Sequence, residues 1–177
     1  MNPSRTLCVM GTFDARAAGE VEKIKRKLLA GGFQPDAYEP HVTFGIYSGV
    51  DDASLLGWIE PIAARRHAFT LNFDHIGFFP GAPYCFLAPS ASRALIALHA
   101  KIHERFDHCC TDKDCLYSLS RNNWTPHMTL ASAAPAQAGV LLSILWESFV
   151  PFKADLTHLK VTSTAPDRNL GVFALKK

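Results

Sequence analysis

Two segments of the chain repeat one pattern: Pro40-His41-Val42-Thr43-Phe44 and Pro126-His127-Met128-Thr129-Leu130. Their histidines lie 86 positions apart (127 − 41). Each segment reads as an extended strand opening after a proline. In a strand, residues i and i+2 share a face. His41 therefore projects with Thr43, and Val42 with Phe44 on the opposite side. His127 and Thr129 divide from Met128 and Leu130 in the same way. A strand polar on one side and apolar on the other packs one face on a core and lines a cleft with the other.

The flanks of the two segments also repeat. Arg5 to Gly11 reads as a strand. Asp14 can cap a helix with Val21, Ile24 and Leu28 on one face, ended by Gly31-Gly32. The first motif strand, His41 to Tyr47, is followed by a turn at Gly49 and a cap at Asp51-Asp52. A helix through Leu55, Leu56 and Ile59 comes next, which Pro61 is expected to end or kink. Phe69, Leu71, Phe73 and His75 alternate as a strand. Pro80-Gly81 marks a hairpin into a strand at Tyr84 to Ala88. A helix from Ser92 to Phe106 carries Leu95, Leu98, Ile102 and Phe106, and a polar loop follows. The second motif strand, His127 to Ala131, leads to a helix started by Pro135 with Val140, Leu141, Ile144 and Leu145 as its apolar face. Strands from Phe152 to Thr164 and Leu170 to Leu175 complete the chain.

Each half thus reads strand, helix, motif strand, helix, long strand. The long strands match in phase: Phe69, Phe73, His75 and Ile76 correspond to Phe152, Leu156, His158 and Leu159. A weak internal duplication accounts for this and predicts two similar lobes about a pseudo-two-fold axis. One two-lobed domain is expected over residues 1–177.

Composition bounds the function. Hydrophobic residues make up 48% of 177, with twelve Phe, enough for a sizeable core. Net charge is +2 and the pI about 8.3, less basic than a non-specific nucleic-acid binder needs but compatible with one phosphate-bearing substrate. The apolar run Leu7 to Met10 is too short for a secretion signal, and no stretch approaches the roughly 20 apolar residues of a membrane span. Five cysteines, an odd number, fit a reducing compartment. The expectation is a soluble, cytoplasmic monomer with no membrane or protein partner.

The residue types of the motifs suit cleavage of a phosphodiester. One group must take a proton from the nucleophile and another must give one to the leaving oxygen. Imidazole titrates near pH 6.5, so one neutral and one protonated ring can coexist near neutrality. Threonine hydroxyls can donate hydrogen bonds to the non-bridging oxygens, where charge collects. His41, Thr43, His127 and Thr129 are the candidate catalytic residues.

The paired motifs, their separation and the order of elements around them resemble the two-histidine phosphoesterase superfamily, the 2′-5′ RNA ligase-like proteins and cyclic phosphodiesterases. The hairpin Asp74-His75-Ile76-Gly77-Phe78-Phe79-Pro80 into Tyr84-Cys85-Phe86-Leu87 is also similar to that family's centre. The resemblance covers nearly the whole chain. It implies an α+β fold of two antiparallel sheets flanked by helices, bilobal and pseudo-symmetric, with both motifs lining a central cleft. It implies catalysis without a metal or cofactor, with His127 as general base and His41 as acid, or, by the pseudo-symmetry, the reverse. The implied substrates are an RNA end or a small nucleotide: 2′,3′-cyclic phosphates, ADP-ribose 1″,2″-cyclic phosphate, 2′-5′-linked RNA and oligoadenylates. A non-catalytic nucleotide- or RNA-binding module on the same fold is the rival reading.

Further residues have two readings each. Trp124 and Tyr84, like Phe13 and Tyr47, either stack on a base or pack in the core. Arg121 either reaches a substrate phosphate or stays solvated. His75 and His158, at matching repeat positions, either back the cleft or satisfy local hydrogen bonds. Cys109, Cys110 and Cys115 with His103 and His108 match no common zinc spacing, and free thiols are the expected reading.

Overall fold

The computed structural model describes residues 5–79, 84–110 and 116–177. The chain is α+β, with four α-helices and eight strands among the described residues. The first lobe begins with β1 (Thr6–Phe13) and α1 (Ala15–Ala30). The Asp14 side chain accepts the Ala17 N–H and caps α1, and Val21, Ile24 and Leu28 bury its inner face. Gly32, at φ +85°, turns the chain out of the helix in a conformation that disfavours other residues. The short β2 (Gln34–Pro35) and the first motif strand, β3 (His41–Ser48), follow.

Next come α2 (Asp52–Arg65), the long β4 (Phe69–Phe78), β5 (Tyr84–Pro89) and α3 (Arg93–His103). Two single 3-10 turns, Asp107–Cys109 and Leu119–Arg121, lead to β6 (Met128–Ser132), the second motif strand. The chain ends with α4 (Ala138–Ser148), the long β7 (Phe152–Ser163) and β8 (Arg168–Ala174).

Three expectations need correction in detail. Pro61 does not end its helix: α2 runs on to Arg65, because Ile59, Ile62 and Ala63 bury its inner face and offset the lost backbone bond. The third helix stops at His103, before Phe106. Val140 is 59% exposed, so the inner face of α4 is Leu141 and Leu145, fully buried, with Ile144 packed partly against the core. The expected hairpin turn at Pro80-Gly81 lies outside the described residues.

The strands run β2-β6-β5-β4-β7-β1-β3, with β8 on β7, all antiparallel. The two expected sheets are thus hydrogen-bonded into one path. The joint is the first half of each long strand: Phe69 faces Leu156, Leu71 faces Ala154 and Phe73 faces Phe152. Pairing there satisfies two edges that would otherwise be exposed. Leu71 and Ala154 are each other's counterparts in the internal repeat, so the pseudo-two-fold axis passes between them. The second half of β4 pairs with β5, and that of β7 with β1. Each long strand therefore serves both lobes.

The path curls. β3 closes one end and β6 lies next to the other, yet β3 and β6 approach each other in space. The core between sheet and helices holds Val42, Phe44, Met128 and Leu130, the apolar sides of both motifs, with Phe73, Leu156 and Leu159. No helix among the described residues is long and apolar enough to cross a membrane.

Candidate functional site

The alternation read from the sequence is present in both motifs. Val42, Phe44, Met128 and Leu130 are buried at 0–1% exposure, whereas His41, Thr43, His127 and Thr129 are part-exposed. Both motifs then break the alternation in the same place. Val9 pairs with Gly45 but Met10 pairs with Thr43, leaving Phe44 as the extra residue of a β-bulge. Cys85 pairs with Ala131 but Phe86 pairs with Thr129, leaving Leu130 as the extra residue. A bulge bends the strand and re-aims its carbonyl. Phe44 O accepts from His103 Nε2 at 2.8 Å, and Leu130 O accepts the Asp36 N–H at 2.8 Å.

The histidines are held alike. His41 Nδ1 lies 2.8 Å from the carbonyl of Glu39, and His127 Nδ1 lies 2.8 Å from the carbonyl of Thr125. A carbonyl can only accept, so Nδ1 carries the proton in each ring. The tautomer of the neutral ring is thereby fixed, with the lone pair on Nε2. Neither threonine hydroxyl has a hydrogen-bond partner among the described residues. The arrangement offers two imidazoles of defined tautomer and two uncommitted hydroxyl donors.

Sheet register extends the His41 face. One row reads His41–Thr12–His158, and the next reads Thr43–Met10–Lys160. In the other lobe the corresponding row reads Thr129–Phe86–Gly77. A Cβ on Gly77 would come within 2.3 Å of the Phe86 ring, so that ring lies directly on the backbone. Phe86 and Phe79 stand against the His127 ring, at centroid distances of 5.3 and 4.8 Å. His41 meets Tyr38 edge-on at 6.2 Å. Sequence reasoning does not single out these aromatic neighbours. For Phe86 the usable signal is its place two residues after Tyr84, on a strand facing the second motif.

Trp124 lies under the first motif. Its Nε1–H donates to the carbonyl of Thr43 at 3.1 Å, and its ring stacks on His99 at 3.8 Å with 3° between planes. Burial lowers the pKa of His99 to about 4, with His103 adding to the shift, so the ring is neutral near pH 7. His99 Nε2–H donates to the carbonyl of Tyr117. His103 is fully buried, with Nδ1 2.9 Å from Asp107 Oδ1. Tryptophan and two histidines thus fasten the backbone of Thr43 and Phe44 to α3.

The remaining candidates do not converge on the histidines. Tyr84 is 45% exposed and stands opposite Ser132, farther along the β5–β6 ladder than Thr129. Arg121 is exposed at the end of its 3-10 turn and makes no ion pair among the described residues. His75 pairs with Asp74 and His158 with the Thr157 hydroxyl, both local contacts. Phe13 packs edge-on against Phe73, and Tyr47 is fully buried. Cys85 and Cys109 are free thiols, and Cys115 lies outside the described residues. A groove of about 420 Å³ lined by Phe33, Gln34, Ser132 and Gln137 contains no titratable side chain.

A family model for the 2′-5′ RNA ligase superfamily matches residues 13–168. The chain belongs to that superfamily. Its fold is similar to solved structures across nearly all of both chains. Escherichia coli LigT in its apo form aligns at 19% identity and TM-score 0.62, covering 100% of each chain. LigT complexed with NADP+ aligns at 18% and 0.64, again over 100% of each. TT0787 of Thermus thermophilus aligns at 15% and 0.64, covering 97% of this chain and 98% of the other. A search of curated proteins found no significant match. Membership supports a phosphoesterase-type enzyme.

Proposed function

We propose that the chain is a metal-independent phosphodiesterase acting on a 2′,3′-cyclic phosphate or a 2′-5′ phosphodiester of an RNA end or small nucleotide. The observation that carries the reading is the matched tethering of His41 and His127 through Nδ1 to backbone carbonyls. Each ring then has one nitrogen, Nε2, for proton transfer. The family resemblance gives His127 the role of base. It takes the proton of the attacking water as oxygen bonds to phosphorus. His41 gives a proton to the ribose oxygen as its bond to phosphorus breaks. Thr43 and Thr129 donate to the non-bridging oxygens, where charge develops. Ligation would use the same groups with roles exchanged.

The rival, a nucleotide-binding module without turnover, is separated by assay. Purified protein is incubated with 2′,3′-cyclic nucleotides and with 2′-5′- and 3′-5′-linked dinucleotides, and products are identified by regiochemistry. Opening of the cyclic phosphate, or cleavage confined to the 2′-5′ linkage, is the expected result. Binding without turnover on every substrate would favour the module.

A further inference from the structure

The two walls of the cleft are built from equivalent repeat positions, yet they differ in charge. Lys160 stands in the row of Thr43, one strand beyond Met10. Its repeat counterpart is Gly77, where the Phe86 ring fills the space. Lys160 is the only lysine or arginine among the paired positions of the rows described above. The fold does not need it, because the matching wall does without.

The Lys160 side chain is folded back onto the Glu39 carboxylate and is 23% exposed, against 51% for Glu39. An ion pair with one partner half in water stabilises a fold little. It does keep an ammonium group beside the strand that carries His41 and Thr43. Two strand spacings, roughly 10 Å, separate the Lys160 backbone from that of Thr43. The scissile phosphate, held between histidines and threonines, is therefore not the natural partner of this cation. A neighbouring phosphate of the same ligand is.

We infer that Lys160 binds a second phosphate group of the substrate, exchanging Glu39 for it, and that the site prefers nucleotides with two phosphates over those with one. This rests on the proposed reading of the cleft as the nucleotide site. It also sets an orientation: the second phosphate lies on the His41 wall, and the apolar part of the ligand on the Phe79–Phe86 wall.

Calorimetric titration tests this without turnover. Adenosine 3′-monophosphate and adenosine 3′,5′-bisphosphate are titrated into wild type, Lys160→Met and Lys160→Arg, with circular dichroism as a control for folding. Wild type should bind the bisphosphate roughly tenfold or more tightly, the scale of one charge-assisted contact. Lys160→Met should bind both ligands alike, and Lys160→Arg should keep the preference. Lys160→Gln replaces Lys160→Met if that variant does not fold. No binding of either ligand, equal binding by wild type, or a preference that survives in Lys160→Met overturns the inference. A protein that shows the Lys160-dependent preference but opens no cyclic phosphate would overturn only the catalytic reading.

Discussion

The indole N–H of Trp124, three residues before His127, donates to the backbone carbonyl of Thr43 at 3.1 Å. The approach to one motif thus braces the backbone of the other. Trp124→Phe keeps a ring against His99 but removes that hydrogen bond and part of the indole's packing on His99 and Phe44. The fold should lose at least about 1 kcal/mol, the usual net worth of one bond. Turnover should fall more than stability does, because Thr43 is no longer held in place. Urea denaturation and steady-state kinetics on a 2′,3′-cyclic nucleotide provide the comparison, and an unchanged kcat would remove Trp124 from the catalytic framework.

Loss of either imidazole should remove most of the activity. General acid or base catalysis contributes typically about 10²- to 10⁴-fold, so His41→Ala and His127→Ala should each fall by about that factor. Both rings are part-exposed, so both variants should stay folded by circular dichroism. The wild-type profile of kcat/KM against pH should be a bell near neutrality. Its limbs report values that belong to the pair. A folded His127→Ala that keeps its rate and its bell would refute the two-histidine mechanism.

The threonine hydroxyls lack partners among the described residues, so replacing them should not disturb folding. Thr43→Val and Thr129→Val should each lower kcat by roughly 10²- to 10³-fold, as for loss of one oxyanion donor. Thr43→Ser and Thr129→Ser should recover much of it. Valine variants with wild-type rates would show that the hydroxyls do not touch the transition state.

In the proposed mechanism two histidines and two hydroxyls supply both proton transfer and phosphate contact. Turnover should therefore persist in excess EDTA after extensive dialysis. Activity lost on chelation and restored by a divalent ion would contradict this chemistry.

His99 makes stability depend on pH. Its folded pKa, about 4, lies below the ordinary 6.5, so the unfolded chain binds more protons between these values. Stability is full above pH 6.5 and falls as pH drops through about 4. At about 1.4 kcal/mol per pH unit, this one group accounts for roughly 3 kcal/mol at most. Urea midpoints measured from about pH 7 to about pH 4 should decline for wild type. His99→Phe, which still stacks on Trp124, should be less stable near neutral pH but decline less steeply. Parallel curves for the two proteins would show that His99 does not titrate in that window.

Much of the candidate site was legible in the sequence because its signals are local. A strand has period two, so His-x-Thr after a proline was enough to put both polar side chains on one face and both apolar ones in the core. The matching phases of Phe69–Ile76 and Phe152–Leu159 foretold the two-fold relation realised at Leu71 and Ala154. Tertiary structure decided what depends on segments distant in sequence. The bulges at Phe44 and Leu130 exist because β1 and β5 pair across them with shifted register. Pro61 stays inside its helix because burial of Ile62 and Ala63 outweighs a local preference. The single sheet depends on pairing between β4 and β7, and the neighbours of His127 depend on which ring fills the space above Gly77. Period and composition belong to one strand at a time. Register, curl and the choice of facing side chain are settled only when strands from both halves of the chain meet.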